Sequence, residues 1–156
     1  MSLLIADPPR AEASDDVRPR KGNDARTLEG RARAPLVLVV EDHEDTRVLL
    51  RTMLEMRGYR VAEAEDGEEG VRLARRLRPH VVIMDATLPR LDGLAATRRI
   101  RSDSTLARVP IVFLSGHALP DFRAAALDAG GTDFLVKPVV LEHLASVLER
   151  HLRADA

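Results

Sequence analysis

A doubly wound α/β fold, a parallel sheet of five strands with helices on both faces, is predicted by three features of the sequence. From Pro35 onward, five short apolar runs alternate with five stretches of helical period. Three of the runs, "LVLVV", "VVIM" and "IVFL", are apolar at every position, as strands buried on both faces must be. The segments between them suit crossover helices, whose right-handedness distributes them over the two sides of a sheet.

The first strand is Leu36–Val40. The helix after it, Glu44–Arg57, gathers Leu49, Leu50, Met53, Leu54 and Met56 on one side and stops at Gly58, a residue suited to the left-handed conformation past a helix end. Tyr59–Ala64, "YRVAEA", alternates in polarity and reads as an edge strand. Gly67–Leu77 sets Arg72, Arg75 and Arg76 opposite Leu73, Ala74 and Leu77. His80–Met84 is the third strand, and Asp92-Gly93 opens a third helix that runs to Ser102. Ile111–Leu114 follows, then a fourth helix from Pro120 to Ala129 that ends at Gly130-Gly131. Phe134–Val136 is the fifth strand. The last helix carries an apolar stripe of Leu141, Leu144, Val147, Leu148 and Leu152.

With 156 residues the chain is long enough for one well-formed core. Only three Phe and one Tyr are present, so that core is built from Val, Leu, Ile and Ala. Cysteine is absent, which excludes disulfides and thiolate metal sites. A net charge of -1 and a pI near 6.5 argue against nucleic acid as a partner. Apolar runs are too short for a bilayer span, and "MSLLIA" lacks the basic start of a signal peptide, so a cytoplasmic protein with no membrane partner is expected. Residues 1–34, rich in Pro, Gly, Ala and mixed charge, have little to bury and are expected to be a disordered N-terminal extension to a domain at 35–156.

Ligands of doubly wound folds bind beyond the carboxyl ends of the strands. At those ends stand Glu41 and Asp42, then Asp85, Ser115 and Lys137. In "VVEDHED" the first strand surfaces directly into four acids in five positions. Two carboxylates about 5 Å apart at an effective dielectric near 20 repel by roughly 3 kcal/mol. A lysine offsets part of that, and a hard dication offsets more. An oxygen-only donor set points to Mg²⁺, with Mn²⁺ as a substitute. A metal bridging Asp85 and a phosphoryl oxygen would let the carboxylate attack phosphorus. Ser115 and Lys137 would then hold the other phosphoryl oxygens.

The acidic pair closing the first strand, "MDATLPRLDG", the hydroxyl ending the fourth strand and "DFLVKP", in this order, resemble the receiver domain of bacterial two-component response regulators. The resemblance covers residues 35–153. It implies a flavodoxin-like sheet of order 2-1-3-4-5, with Asp85 as phosphoacceptor. Mg²⁺ would be held by Glu41 through water, by Asp42 and Asp85, and by the backbone carbonyl of Thr87. Ser115 and Phe134 would form a switch pair, Lys137 would bond the phosphoryl group, and the Lys137–Pro138 peptide would be cis. Thr87 and His117 would flank the phosphoryl group and tune its hydrolysis.

The implied function is a stand-alone phosphoacceptor in a phosphorelay, not a conventional enzyme, since "RADA" alone follows the last helix. A sensor histidine kinase or histidine phosphotransfer protein would donate to Asp85. A downstream protein would be bound through the fourth helix, fifth strand and fifth helix. Glu41, Ser115 and Phe134 stand where Asp, Thr and Tyr are commoner in the family, and Phe134 brings no hydroxyl.

Plainer readings account for the remaining signals. His43 is read as an exposed helix-start residue rather than a ligand, His151 as packed on the last helix, and the arginines at 72–78 and 98–101 as solvated surface. Lys137 is one of only two lysines among 24 basic residues, so a compact ammonium there is a chemical choice. An aspartate-nucleophile phosphatase would need a carboxylate where Thr87 stands. A flavin-binding electron carrier would need a phosphate loop in place of "EDHED". A receiver that binds partners without phosphorylation would lack Asp85 or Lys137.

Overall fold

The computed structural model describes residues 24–116 and 120–153. Its elements are α1 (Asp24–Arg33), β1 (Leu36–Val40), α2 (Glu44–Met56), β2 (Arg60–Ala64), α3 (Gly67–Leu77), β3 (Val81–Asp85), α4 (Gly93–Ser102), a single 3-10 turn (Ser104–Leu106), β4 (Ile111–Ser115), α5 (Pro120–Asp128), β5 (Asp133–Val136) and α6 (Leu141–Arg153). The five strands are parallel in the order β2-β1-β3-β4-β5. The alternating segment read as an edge strand is β2, at the sheet's edge.

Pleating sends successive strand side chains to opposite faces, and each face has its own core. Leu38, Val40, Val82, Met84, Ile111 and Phe113 pack against Val71 and Ala74 of α3, Ala96 and Ile100 of α4, and Ala126 of α5. Val37, Val39, Val81, Ile83, Val112 and Leu114 pack against Leu50 and Leu54 of α2 and Leu144, Val147 and Leu148 of α6. The aliphatic runs are therefore continuous because both faces are covered.

Three expectations need correction. Asp24–Arg33 is helical rather than disordered, although its residues 29–33 are exposed. Arg31 and Arg33 in its last turn suit the helix dipole, a local preference that needs no core. Residues 1–23 lie outside the described residues. On α2, Leu49 and Met56 are 54% and 74% exposed. Its buried positions are Arg47, Leu50 and Leu54, one narrow stripe, because the helix lies against the sheet along a single line. On α3 the inward side is Gly67, Gly70, Val71 and Ala74, and Leu77 is exposed.

The loop from Ala86 to Asp92, after β3, is pressed onto the start of α3. A side chain at Gly67 would collide with the Leu91 carbonyl, and one at Gly93 with the Asp85 carbonyl. Asp66 caps α3 by accepting from the Glu69 amide at 2.8 Å and takes Arg90 Nη1 at 2.9 Å on its other oxygen. Arg90 itself has φ 65, a left-handed conformation uncommon for any residue but glycine. The Gly93 amide closes the loop on the Ala86 carbonyl at 3.3 Å.

Alanine ordinarily favours a helix over glycine by about 1 kcal/mol. Gly93→Ala is expected to do the reverse, lowering stability by about 1–3 kcal/mol as the Asp85–Ala86 backbone is displaced. A urea midpoint equal to or above that of the wild type would contradict this packing.

Candidate functional site

Register brings the strand ends level. Val40 pairs with Met84, so Glu41 and Asp85 emerge side by side, and Ser115 pairs with Val136, just before Lys137. Backbone bonds fix these ends: Glu41 N to Ala64 O at 3.0 Å, Ala86 N to Leu114 O at 3.0 Å, and Lys137 N to Ser115 O at 2.8 Å. Residues 96 positions apart in the chain thus face one another.

Lys137 Nζ donates to Glu41 Oε2 at 2.8 Å and lies 3.4 Å from Asp85 Oδ2. The other oxygen of Asp85 accepts from the Thr87 amide at 3.1 Å. Glu41, Asp85 and Ser115 are buried, at 1%, 5% and 3% exposure. Thr87 is exposed, in the loop clamped against α3. Phe134 is half-buried on β5, opposite Phe113, and its ring meets that of Phe122 with centroids 5.8 Å apart. The Lys137–Pro138 peptide is cis. His117 lies outside the described residues.

Burial sets the electrostatics. It pushes the Asp85 carboxyl up to about 6, with the Glu41 charge adding to it and the Thr87 amide and Lys137 charge opposing. For Glu41 burial acts in the same direction but is outweighed by hydrogen bonding with Lys137 and Asp85, leaving it below the usual carboxylate range. Burial likewise disfavours the Lys137 ammonium, yet the bond to Glu41 and the charges of Asp85 and Glu41 raise its pKa. One lysine holds one carboxylate firmly and reaches the second at longer range.

A divalent ion fits this set. Glu41, Asp42, His43 and Asp85 each offer a ligand atom, all within 4.8 Å of one another. Asp42 Oδ1 is buried with no hydrogen-bond partner among the described residues. A carboxylate oxygen without a donor is costly, and a cation would satisfy it. His43 is exposed at the head of α2, as expected, but its Nδ1 lies 3.2 Å from both Glu41 Oε1 and Asp42 Oδ1. The Glu41 bond and the Asp42 charge raise its pKa.

Arg47 belongs to the site's support and carried no signal in the local motif. Its Nη1 donates to the Glu41 carbonyl at 3.0 Å, while Nη2 reaches Glu65 at 3.4 Å and Nε lies 3.5 Å from Glu63. The spacing of Arg47, Leu50 and Leu54 along one helix face would have marked it as an inward-facing cation. His151 is half-buried and sits 3.1 Å from Asp133 Oδ2, which also takes Arg150 at 2.6 Å. Arg72, Arg75 and Arg99 are paired with Glu69, Asp103 and Glu68.

A family model described as the response regulator receiver domain matches residues 37–149. Transcriptional regulatory protein PrrA of Mycobacterium tuberculosis (strain ATCC 25618 / H37Rv) is 38% identical over 120 residues, 77% of this chain and 51% of that protein. Response regulator MprA of Mycobacterium sp. (strain KMS) is 41% identical over 117 residues, 75% of this chain and 50% of that protein. The chain spans about half the length of the curated relatives it matches. Among solved structures, the receiver domain of sensor histidine kinase PA1611 from Pseudomonas aeruginosa PAO1 is 39% identical with a TM-score of 0.73, covering 76% of this chain and 98% of that one. That structure has a magnesium ion coordinated in its active site cleft. Chemotaxis protein CheY4 of Vibrio cholerae is 31% identical with a TM-score of 0.73, covering 76% and 99%.

The raised Asp85 pKa has a consequence for stability. An acid whose folded pKa lies above its unfolded value costs stability as pH rises from about 4 to about 6, and the full cost persists above that. In chelator, Asp85→Asn should therefore be more stable than wild type at neutral pH, by up to about 3 kcal/mol. The gap should close toward about pH 4. Urea unfolding across this range checks it, and a variant no more stable at neutrality would refute the electrostatic account.

Proposed function

This chain belongs to the response regulator receiver domain family, and we propose that it accepts a phosphoryl group on Asp85 and so switches a protein-binding surface. The reading rests on the meeting of Glu41, Asp42, Asp85 and Lys137 at one edge of the sheet. Phosphoryl transfer asks a protein for position and charge compensation more than for covalent chemistry.

Asp85 attacks phosphorus through a carboxylate oxygen. That P–O bond forms as the bond from phosphorus to the donor breaks, and the donor leaves with its electron pair. The Thr87 amide fixes one Asp85 oxygen, which orients the carboxylate for attack. Lys137 turns from Glu41 toward a phosphoryl oxygen, a short movement because it already stands 3.4 Å from Asp85. The Ser115 hydroxyl donates to another, and Phe134 follows it inward. Glu41, Asp42, Asp85 and the Thr87 carbonyl would hold Mg²⁺, which supplies positive charge to the phosphoryl oxygens. Water later attacks the same phosphorus and releases inorganic phosphate, restoring Asp85.

The donor is a phosphohistidine on a sensor kinase or phosphotransfer protein. The responding surface is α5, β5 and α6, where Leu127 and Val136 are 49% and 45% exposed. Phosphoryl uptake and loss are self-catalysed on Asp85, and the chain turns over no separate substrate.

Incubation with acetyl phosphate and Mg²⁺ followed by intact mass spectrometry tests the assignment. One phosphoryl group should be gained by wild type and none by Asp85→Asn or by wild type in chelator. Modification of Asp85→Asn to the wild-type level would defeat the reading. In the same assay Lys137→Ala should slow uptake by about tenfold or more, the loss of one charge-assisted contact of about 1.5–3 kcal/mol. An undiminished rate in this variant would remove Lys137 from the mechanism.

A further inference from the structure

His43 occupies the cap position of α2, with φ -80 and ψ 116. Helix caps are ordinarily Ser, Thr, Asp or Asn, whose short side chains bond the free amides of the first turn. His43 makes no such bond. Its ring turns the other way, bringing Nδ1 to 3.2 Å from Glu41 Oε1 and 3.2 Å from Asp42 Oδ1. Its backbone amide donates to that same Glu41 oxygen at 3.2 Å. The side chain is 74% exposed, so no packing restrains the ring from closing further on the acids.

Building on the metal seat proposed above, we propose that His43 is a ligand of it, giving the site the donor set for a borderline transition-metal dication such as Co²⁺, Zn²⁺ or Ni²⁺. Imidazole binds through a nitrogen lone pair. Mg²⁺ prefers oxygen and retains its waters, so it gains little from the ring, whereas the later dications gain a strong bond. Asp42 Oδ1, buried and accepting no hydrogen bond, and the Nδ1 of His43, 3.2 Å from it, would then both be ligands of one ion. Two classes of ion compete for one seat, and His43 decides between them.

Titration of the metal-free chain with Co²⁺ near pH 8, followed by visible absorption, tests this, with Mg²⁺ measured by calorimetry. His43→Ala should weaken Co²⁺ by about tenfold or more while Mg²⁺ affinity stays within about twofold. His43→Asn, a better helix cap, should lose Co²⁺ to the same degree, which separates ligation from the stability of α2. Unchanged Co²⁺ affinity in His43→Ala, or equal loss for both ions, would overturn the role of His43 and leave the metal seat standing. Failure of wild type to bind either ion would overturn the metal seat and this inference together.

Discussion

Lys137 Nζ lies 2.8 Å from one buried carboxylate and 3.4 Å from another, with an oxygen of a third nearby that accepts no hydrogen bond among the described residues. One ammonium cannot neutralise three acids. The imbalance is confined to a corner where burial strengthens every charge interaction, and it shows as an Asp85 carboxyl pushed up to about 6. A structure designed only for stability would not gather charge in this way. On the proposed function the arrangement would become favourable once a dication and a phosphoryl group enter, since each brings the charge that the other lacks.

The fold supplies the rigidity this corner needs. Two cores, one on each face, hold five parallel strands whose neighbouring ends are level to within a residue. The loop carrying Thr87 is closed by the tight approach of Gly67 to Leu91 and Gly93 to Asp85, and is tied to the α3 cap through Arg90 and Asp66. Arg47 holds the Glu41 carbonyl from beneath. Charged side chains thereby sit on backbone that has little room to relax, so in the proposed function relief would come from bound ions rather than from movement of the strands.

The same corner illustrates how a residue type can carry information that its sequence neighbours hide. His43 reads as an exposed helix start, and it is one. That description leaves out the direction of the ring, which the unused cap bond and the two 3.2 Å contacts supply. Arg47 is the converse case, a charged residue hidden in a helical stripe whose partners come from the residue just past β1 and from the end of β2 and beyond.

What the sequence determined by itself is the alternation of elements and the chemistry at the strand ends. Strands covered on both faces leave unbroken aliphatic runs, and helix starts and stops leave Asp92, Gly58 and Gly130 at their boundaries. These signals are local and were readable to within a residue or two. The helix at Asp24–Arg33 leaves little mark in the sequence, where the charges of Arg31 and Arg33 at its end are a weak local preference. Leu49 and Met56 were misplaced because helical period narrows the inward side only to a broad arc, and the neighbouring elements choose within it. The pairing of Lys137 with Glu41 before Asp85, the orphaned oxygen of Asp42 and the turn of His43 were decided by tertiary structure alone. Each depends on register between distant strands, which sets distances of a few ångströms that no local pattern encodes.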